Sequence, residues 1–393
     1  MGFNEKNGED NRWRIYILPY LGVNRPSYCQ ISKTSNLKTI IHALQLASDL
    51  ISSLHIMARI TIVGSGIIGL AIAAQLSRHH EITIIARNIP GDDPSIEWAS
   101  PWAGASFVAG YCSEPRERMM QRDAFRELWR IANSFPESSV KKIPMEKFFD
   151  EERTADDLWF SDYVPNFRFL PKDQLPRGAK VGITYTTVVL NPNIFLPWLK
   201  QKLENSGVKF KRMNLGSLAD ASHLGHDVLI NATGAGPKYL DDVKDETMEL
   251  LKGQVMVVKS DYQKHLMRDN GKDYTYVIPR LDGTVILGGI RDPDVLNTAV
   301  DIEVDKDIVR RVSQYLPGGF SGDLSSYDLV GHNIGIRPYR SSGMRIEKEV
   351  KGGQHIVHAY GINGGGYIFG FGVAREAAKL VDEFLFPSGK AHL

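Results

Sequence analysis

Arg59-Ile60-Thr61-Ile62-Val63-Gly64-Ser65-Gly66-Ile67-Ile68-Gly69 is the stretch on which the fold turns. Ile60, Ile62 and Val63 make a strand, and three glycines spaced G-x-G-x-x-G follow it at once. Gly64 permits a tight turn, Gly66 lets the backbone approach a pyrophosphate, and Gly69 lets the next helix pack closely on the strand. That helix is predicted over 67–78, with Leu70, Ala73, Ala74 and Leu76 on it, and its N-terminus offers free N–H groups and a positive dipole to phosphates. A second strand is predicted over 81–86. Residues Gly64, Ser65, Gly66, Ile67, Ile68 and Gly69 therefore read as a dinucleotide cradle; the plainer alternative is a glycine turn with no ligand. The second strand ends Ile84-Ile85-Ala86-Arg87-Asn88, with no acid to hold a ribose 2′-hydroxyl. Arg87 reads either as a partner for a 2′-phosphate, hence NADP, or as a solvated strand-end charge.

Outward from this unit the pattern alternates: a helix over 116–134, a strand over 181–190, a helix over 194–205, and strands over 207–212 and 227–231. Strands separated by helical patterns imply a parallel sheet of βαβ units. Strands near 252–259, 274–279 and 284–290 then follow without intervening helices, as in an antiparallel region. Strands near 329–339 and 355–360 and a helix over 372–386 close the pattern. The expected class is α/β (α+β, two-lobed), with a discontinuous Rossmann-like domain over 57–105, 181–247 and 325–393 interleaved with a β-rich antiparallel substrate domain over 106–180 and 248–324. Residues 1–56 read differently: polar loop at 4–11, a short apolar run at 15–21, an amphipathic helix at 39–55. They are expected to be an appendage.

Composition bounds the function. With 393 residues the chain has room for two to three domains of about 150 residues each. Lys+Arg number 47 and Asp+Glu 46, a net charge of +1 that gives no support to a nucleic-acid binder. Only Cys29 and Cys112 exist, too few for a disulfide framework or a cysteine-built metal centre, and the histidines come without a complete ligand set, so no metal is expected. No apolar run reaches 18 residues, and no membrane-spanning helix is predicted. The last residues, Lys390-Ala391-His392-Leu393, end in the small-basic-Leu pattern of a peroxisomal address.

Further blocks carry a resemblance. Ile82 to Pro90, followed by Ala99-Ser100-Pro101-Trp102-Ala103-Gly104-Ala105, then Asn231-Ala232-Thr233-Gly234-Ala235-Gly236, Gly335-Ile336-Arg337-Pro338-Tyr339-Arg340, and His358 through Gly364-Gly365-Gly366 to Gly372 and Ala374 run in one order. Together they resemble the D-amino-acid oxidase family. The resemblance implies that the dinucleotide is FAD, held noncovalently by the glycine turn, by Arg87 and Asn88 beside the adenosine end, by Ser100, Ala103, Gly104 and Ala105, by Thr233 and Gly234, and by Gly364, Gly365, Gly366, Tyr367 and Ile368. Departures from the family pattern are Asn88 for the usual Asp, Asn363 for a small residue, and Ile368 where relatives offer a polar contact.

The same resemblance assigns the chemistry. Arg337 is implied as the clamp for the substrate α-carboxylate, a task that suits a guanidinium because it presents two parallel donors in a fixed fork. Tyr276 is implied as a second carboxylate donor, with Tyr274 on its face by alternation, and the Gly364 carbonyl would hold the amino group. Arg291 stands where the D-aspartate oxidase branch has Arg and neutral-substrate members have an aromatic. A buried cation there needs an anion; the alternative is a solvated pair with Asp292 or Asp294. The implied reaction passes hydride from substrate Cα to flavin N5, gives an imino acid that hydrolyses to a 2-oxo acid and ammonia, and reduces molecular oxygen to hydrogen peroxide. D-Aspartate is the expected substrate, with a neutral D-amino-acid oxidase or a catalytically inactive flavin- or NADP-binding module as rivals. Peroxide production agrees with residence in the peroxisome, reached through an import receptor that reads Ala-His-Leu. A homo-oligomer is compatible with the sequence.

Overall fold

The computed structural model describes residues 12–17, 27–32, 57–110, 114–268, 274–293, 297–316 and 318–387. The chain divides into two compact units, Met1–Ile56 and Met57–Leu393. In the first, β1 (Arg12–Ile17) and β2 (Ser27–Ser32) pair antiparallel, Arg12 opposite Ser32. The helix expected at 39–55 lies outside the described residues.

The second unit runs β3 (Arg59–Val63), α1 (Ile67–Leu76), β4 (Glu81–Ala86), α2 (Pro115–Ser134), β5 (Lys141–Phe149), β6 (Arg168–Phe169), β7 (Val181–Val189), α3 (Pro192–Asn205), β8 (Lys209–Arg212), β9 (Val228–Asn231), β10 (Met248–Lys259), β11 (His265–Arg268), β12 (Thr275–Pro279), β13 (Thr284–Gly288), α4 (Ile302–Tyr315), β14 (Leu329–Arg340), β15 (Arg345–Lys351), β16 (Gln354–Tyr360) and α5 (Gly366–Leu385). Its six-stranded sheet has the order β15-β16-β9-β3-β4-β8, with every pair parallel except β15-β16. A parallel sheet needs cover on both faces, and β9 is accordingly buried along its whole length. α1 is buried nearly all round because α5 packs on it: a Cβ at Gly366 would stand 2.8 Å from Ile67 Cγ2.

The eight-stranded sheet has the order β14-β10-β13-β12-β11-β5-β7-β6. Alternation sorts its side chains: Met256, Val258, Val277, Val285 and Leu287 pack under Ile308, Val309 and Val312 of α4, while Val255, Val257, Tyr276, Ile278 and Ile286 form a separate cluster on the other face.

Three expectations change. The strand at 181–190, read as part of the parallel sheet, is β7 and pairs antiparallel with β5, Lys141 opposite Val189. Its apolar run suits either sheet, and its partner β5 escapes the pattern because Pro144, Lys142 and Glu146 interrupt the alternation. The strand at 329–339 is β14, which pairs along β10 from Met248–Arg340 to Val258–Leu329 and so lies in the eight-stranded sheet. The final helix begins at Gly366, six residues before Gly372, because its glycines let it approach α1 and α2 and packing overrides propensity.

Candidate active site

β3 ends at Val63 and the chain turns through Gly64, whose φ of 113° disfavours any other residue and whose added Cβ would stand 2.3 Å from the Ala232 carbonyl oxygen. Two turns meet there. β3 and β9 are parallel neighbours, so Gly64-Ser65-Gly66 and Ala232-Thr233-Gly234 leave the sheet at one edge. The Thr233 hydroxyl donates to Asn231 Oδ1 at 2.7 Å, which ties the second turn to β9. Ser65 is buried and its hydroxyl donates to the Asn88 carbonyl, tying the first turn to the end of β4. Gly66 caps α1 without a side chain, and the Ile67 N–H donates to Ser100 Oγ at 3.1 Å. Arg87 is exposed and pairs with Glu97 at 2.6 Å.

The Ser100–Ala105 segment is pinned from two sides. The Tyr367 hydroxyl, from the first turn of α5, donates to the Ser100 carbonyl at 3.0 Å. Arg280 is buried and donates through Nε to the Gly104 carbonyl at 2.8 Å and through Nη2 to that of Ala103 at 3.3 Å. Burial pushes its guanidinium pKa down. Gly104 itself lies against Ile278, whose Cδ1 would be 2.5 Å from an added Cβ. Ile368 is half-buried, its N–H donating to the Gly365 carbonyl at 2.8 Å. The N-termini of α1 and α5, the two turns and the Ser100–Ala105 segment thus form one cradle.

Beside it lies a second group. Tyr276 on β12 is buried, its ring 5.3 Å from that of Tyr274 and laid over Gly288 and Gly289, where added Cβ atoms would stand 2.5 and 2.6 Å from it. This explains the glycine pair at the end of β13. Burial pushes the Tyr276 phenol well above its ordinary pKa, Tyr274 adds to this, and Arg337, Arg291 and Arg311 pull the other way. The hydroxyl stays protonated and available as a donor among three guanidinium groups. Arg337 on β14 lies against Gly364, and its Nη1 is buried with no hydrogen-bond partner among the described residues.

Arg291 differs from the expectation of a buried cation: it is exposed, with its guanidinium 4.2 Å from the centre of the Tyr274 ring. The loop after β13 carries it outward, and the aromatic face gives the cation a partner without burial. Asp292 pairs by backbone with Lys252, and Asp294 lies outside the described residues. Arg340, at the end of the same strand as Arg337, is held by Asp245 at 2.7 Å. Sequence reading passed over Trp98, Arg280 and Arg311. Nothing local distinguishes Trp98 or Arg280; Arg311 sits on α4, whose Asp301 cap and apolar spacing were a usable signal.

Residues 59–380 match the sequence model of a family described as FAD dependent oxidoreductase. The chain belongs to this family. FAD is therefore the cofactor of this oxidoreductase. It is 31% identical over 351 residues to a D-amino-acid oxidase of Fusarium vanettenii, covering 82% of this chain and 96% of that one. It is 30% identical over 358 residues to a D-aspartate oxidase of Talaromyces thermophilus, covering 82% and 95%. The solved structure of reduced L-α-glycerophosphate oxidase of Mycoplasma pneumoniae with FAD bound shares the fold, with a TM-score of 0.63, 17% identity and coverage of 83% and 95%.

The cradle of this oxidoreductase fits such a cofactor. A dinucleotide brings a pyrophosphate that needs donors, and the N-terminus of α1 supplies them from a glycine cap that has no side chain of its own, with Ser100 Oγ on the Ile67 N–H beside it. Trp98 adds another: its Nε1 is buried without a partner among the described residues, 3.8 Å from where a Gly66 Cβ would lie.

Proposed function

We propose that this oxidoreductase is a D-amino-acid oxidase that prefers an acidic side chain, D-aspartate first. The observation that carries the reading is Arg337. A guanidinium nitrogen buried without a partner among the described residues, close to a protonated tyrosine, suits an α-carboxylate that would take the fork on one side and the phenol on the other. The Gly364 carbonyl would hold the amino group. Arg291, at the exposed edge of the group, would meet the side-chain carboxylate.

The cofactor would be held by Gly64–Gly69, Trp98, Ser100–Ala105, Thr233-Gly234 and Gly364–Ile368, with Arg87 and Asn88 at its adenosine end. In this reading the six-stranded sheet carries FAD and the eight-stranded sheet, including β7 and β14, carries the substrate. FAD held there would supply the redox chemistry, a hydride acceptor for substrate Cα–H and a path for the electron pair to molecular oxygen, which leaves as hydrogen peroxide. The protein's own part is orientation: Arg337 and Tyr276 fix the carboxylate so that Cα–H faces the flavin. The imino acid released hydrolyses to the 2-oxo acid and ammonia. We place the protein in the peroxisome through Ala391-His392-Leu393, which lies outside the described residues.

A neutral-substrate reading has one observation in its favour: Arg291 is exposed and already has the Tyr274 ring as partner. The test is peroxide release from D-Asp, D-Glu, N-methyl-D-Asp, D-Ala, D-Val and the L-enantiomers. D-Asp is expected to lead. A lead by D-Ala or D-Val overturns the acidic preference, and flavin that stays oxidised under anaerobic D-amino acids overturns the enzyme reading.

A further inference from the structure

We propose that Arg311, on α4 behind the substrate layer, is a positioning residue that sets substrate selectivity by fixing the strand ends that carry Tyr274, Tyr276 and Arg291. The inference rests on the substrate reading above. Arg311 is 1% exposed, among the largest fully buried side chains in the molecule. Its neighbours on α4, Ile308, Val309 and Val312, are packed against the sheet, where an apolar residue of similar volume would serve packing well.

What the guanidinium adds is a fork spanning two strands. Nη1 donates to the Tyr274 carbonyl and, at 2.9 Å, to Thr275 Oγ1; Nη2 donates to the Gly289 carbonyl at 3.3 Å. Nε is held by Asp307 Oδ2 at 2.8 Å, one turn back on the same helix. The two carbonyls belong to residues that flank the site. Tyr274 bears the ring under Arg291 and stands two residues before Tyr276; Gly289 lies under the Tyr276 ring and stands two residues before Arg291. The strands are already paired there, since the Gly289 N–H donates to the Tyr274 carbonyl at 3.3 Å. Arg311 therefore locks the spacing between the face that would grip the α-carboxylate and the cation that would grip the distal one. Lysine offers one point of charge in place of a planar fork and cannot bind both carbonyls in this geometry.

A substrate with two carboxylates must meet both grips at once, so a small change in their spacing falls on it and spares a substrate with one. The experiment uses FAD-loaded wild type, Arg311→Lys and Asp307→Asn, with succinate and propionate as the deaminated analogues of D-Asp and D-Ala. Dissociation constants come from the perturbation of the flavin spectrum, beside kcat and KM for D-Asp and D-Ala. For Arg311→Lys we expect succinate binding weaker by about tenfold and propionate within about twofold, with the D-Asp loss mostly in KM. Asp307→Asn, which leaves the fork and an amide oxygen that can still accept from Nε but removes the carboxylate charge, should move the same ratio less. Equal weakening of both ligands, or no change in either, overturns the proposal. Should Arg311→Lys lose FAD, Asp307→Asn decides alone: an unchanged succinate-to-propionate ratio overturns it. A wild type that binds propionate and not succinate refutes the acidic-substrate reading instead, which separates the two failures.

Discussion

The Arg337 side chain lies directly over Gly364: an added Cβ would stand 2.7 Å from Arg337 Cδ and 2.9 Å from Nε. Gly364 also holds φ at 80°, a conformation that L side chains rarely adopt. The Arg337 side chain and the turn before α5 thus depend on one another. Gly364→Ala should displace the guanidinium and, because Gly364 also belongs to the proposed cradle, lower flavin content in part. In the flavin-loaded fraction we expect kcat/KM to fall roughly 10²-fold on D-Asp and D-Ala alike. Unchanged kinetics in a flavin-loaded variant would show that Arg337 tolerates the methyl group and is not so constrained.

Gly66→Val tests the cradle. The added Cβ would stand 2.9 Å from Ser100 Oγ, which accepts from the Ile67 N–H, so the branched side chain intrudes on the free end of α1. The variant should remain soluble but colourless. Stoichiometric FAD, measured from its visible absorbance after gel filtration, would place the phosphates elsewhere.

Arg337→Leu removes the fork proposed to hold the α-carboxylate of every substrate. Turnover should fall for acidic and neutral D-amino acids together, by about 2–5 kcal/mol or more in kcat/KM. A loss confined to D-Asp would mean that clamp and selector have been exchanged.

Arg291→Tyr tests the selector. Because Arg291 is exposed, solvent screens its pairing with a substrate carboxylate, and the fall in kcat/KM for D-Asp should be roughly tenfold, smaller than for a buried partner. Activity on D-Ala should hold or rise, since an aromatic wall suits a methyl group. The proposed preference for D-Asp should also shrink as salt is added to the wild type. A parallel fall on both substrates would make Arg291 structural.

His265 on β11 gives the acid side of the stability profile. It is buried with neither ring nitrogen hydrogen-bonded among the described residues, and burial, with Lys147 nearby, lowers its pKa to about 3. The unfolded chain, with an ordinary histidine near pH 6.5, binds the proton first, so the stability linked to His265 is present above that pH and is lost as pH falls toward 3. Between pH 7 and pH 5 this amounts to about 2 kcal/mol. His265→Leu should therefore lose less stability over that interval than wild type in urea denaturation; equal slopes would show that the imidazole is protonated in the fold.

Local signals sufficed for the first half of the cradle. The glycine spacing after β3, the run of α1 and the start of β4 depend on neighbours within thirty residues, and turn chemistry and apolar period determine them almost alone. The family blocks at Ser100–Ala105, Asn231–Gly236, Arg337 and Gly364–Gly366 were also legible in the sequence, as a resemblance carried by their order. α4 could have been read, because Asp301 caps it by accepting from the Glu303 N–H and its apolar residues recur at helical spacing.

Only the tertiary structure decided which strands are neighbours. β7 and β14 joined the eight-stranded sheet because their partners, β5 and β10, run alongside them over nine to twelve residues, and an apolar run does not say which edge it will meet. The same long-range choice brought Arg337 over Gly364, laid Tyr276 on Gly288 and Gly289, turned Arg291 outward onto Tyr274, and put the Arg311 fork between two strand ends. Each of these relations joins separated residues through packing and hydrogen bonds rather than local spacing, so the sequence determined the parts of the candidate site and the fold determined their distances.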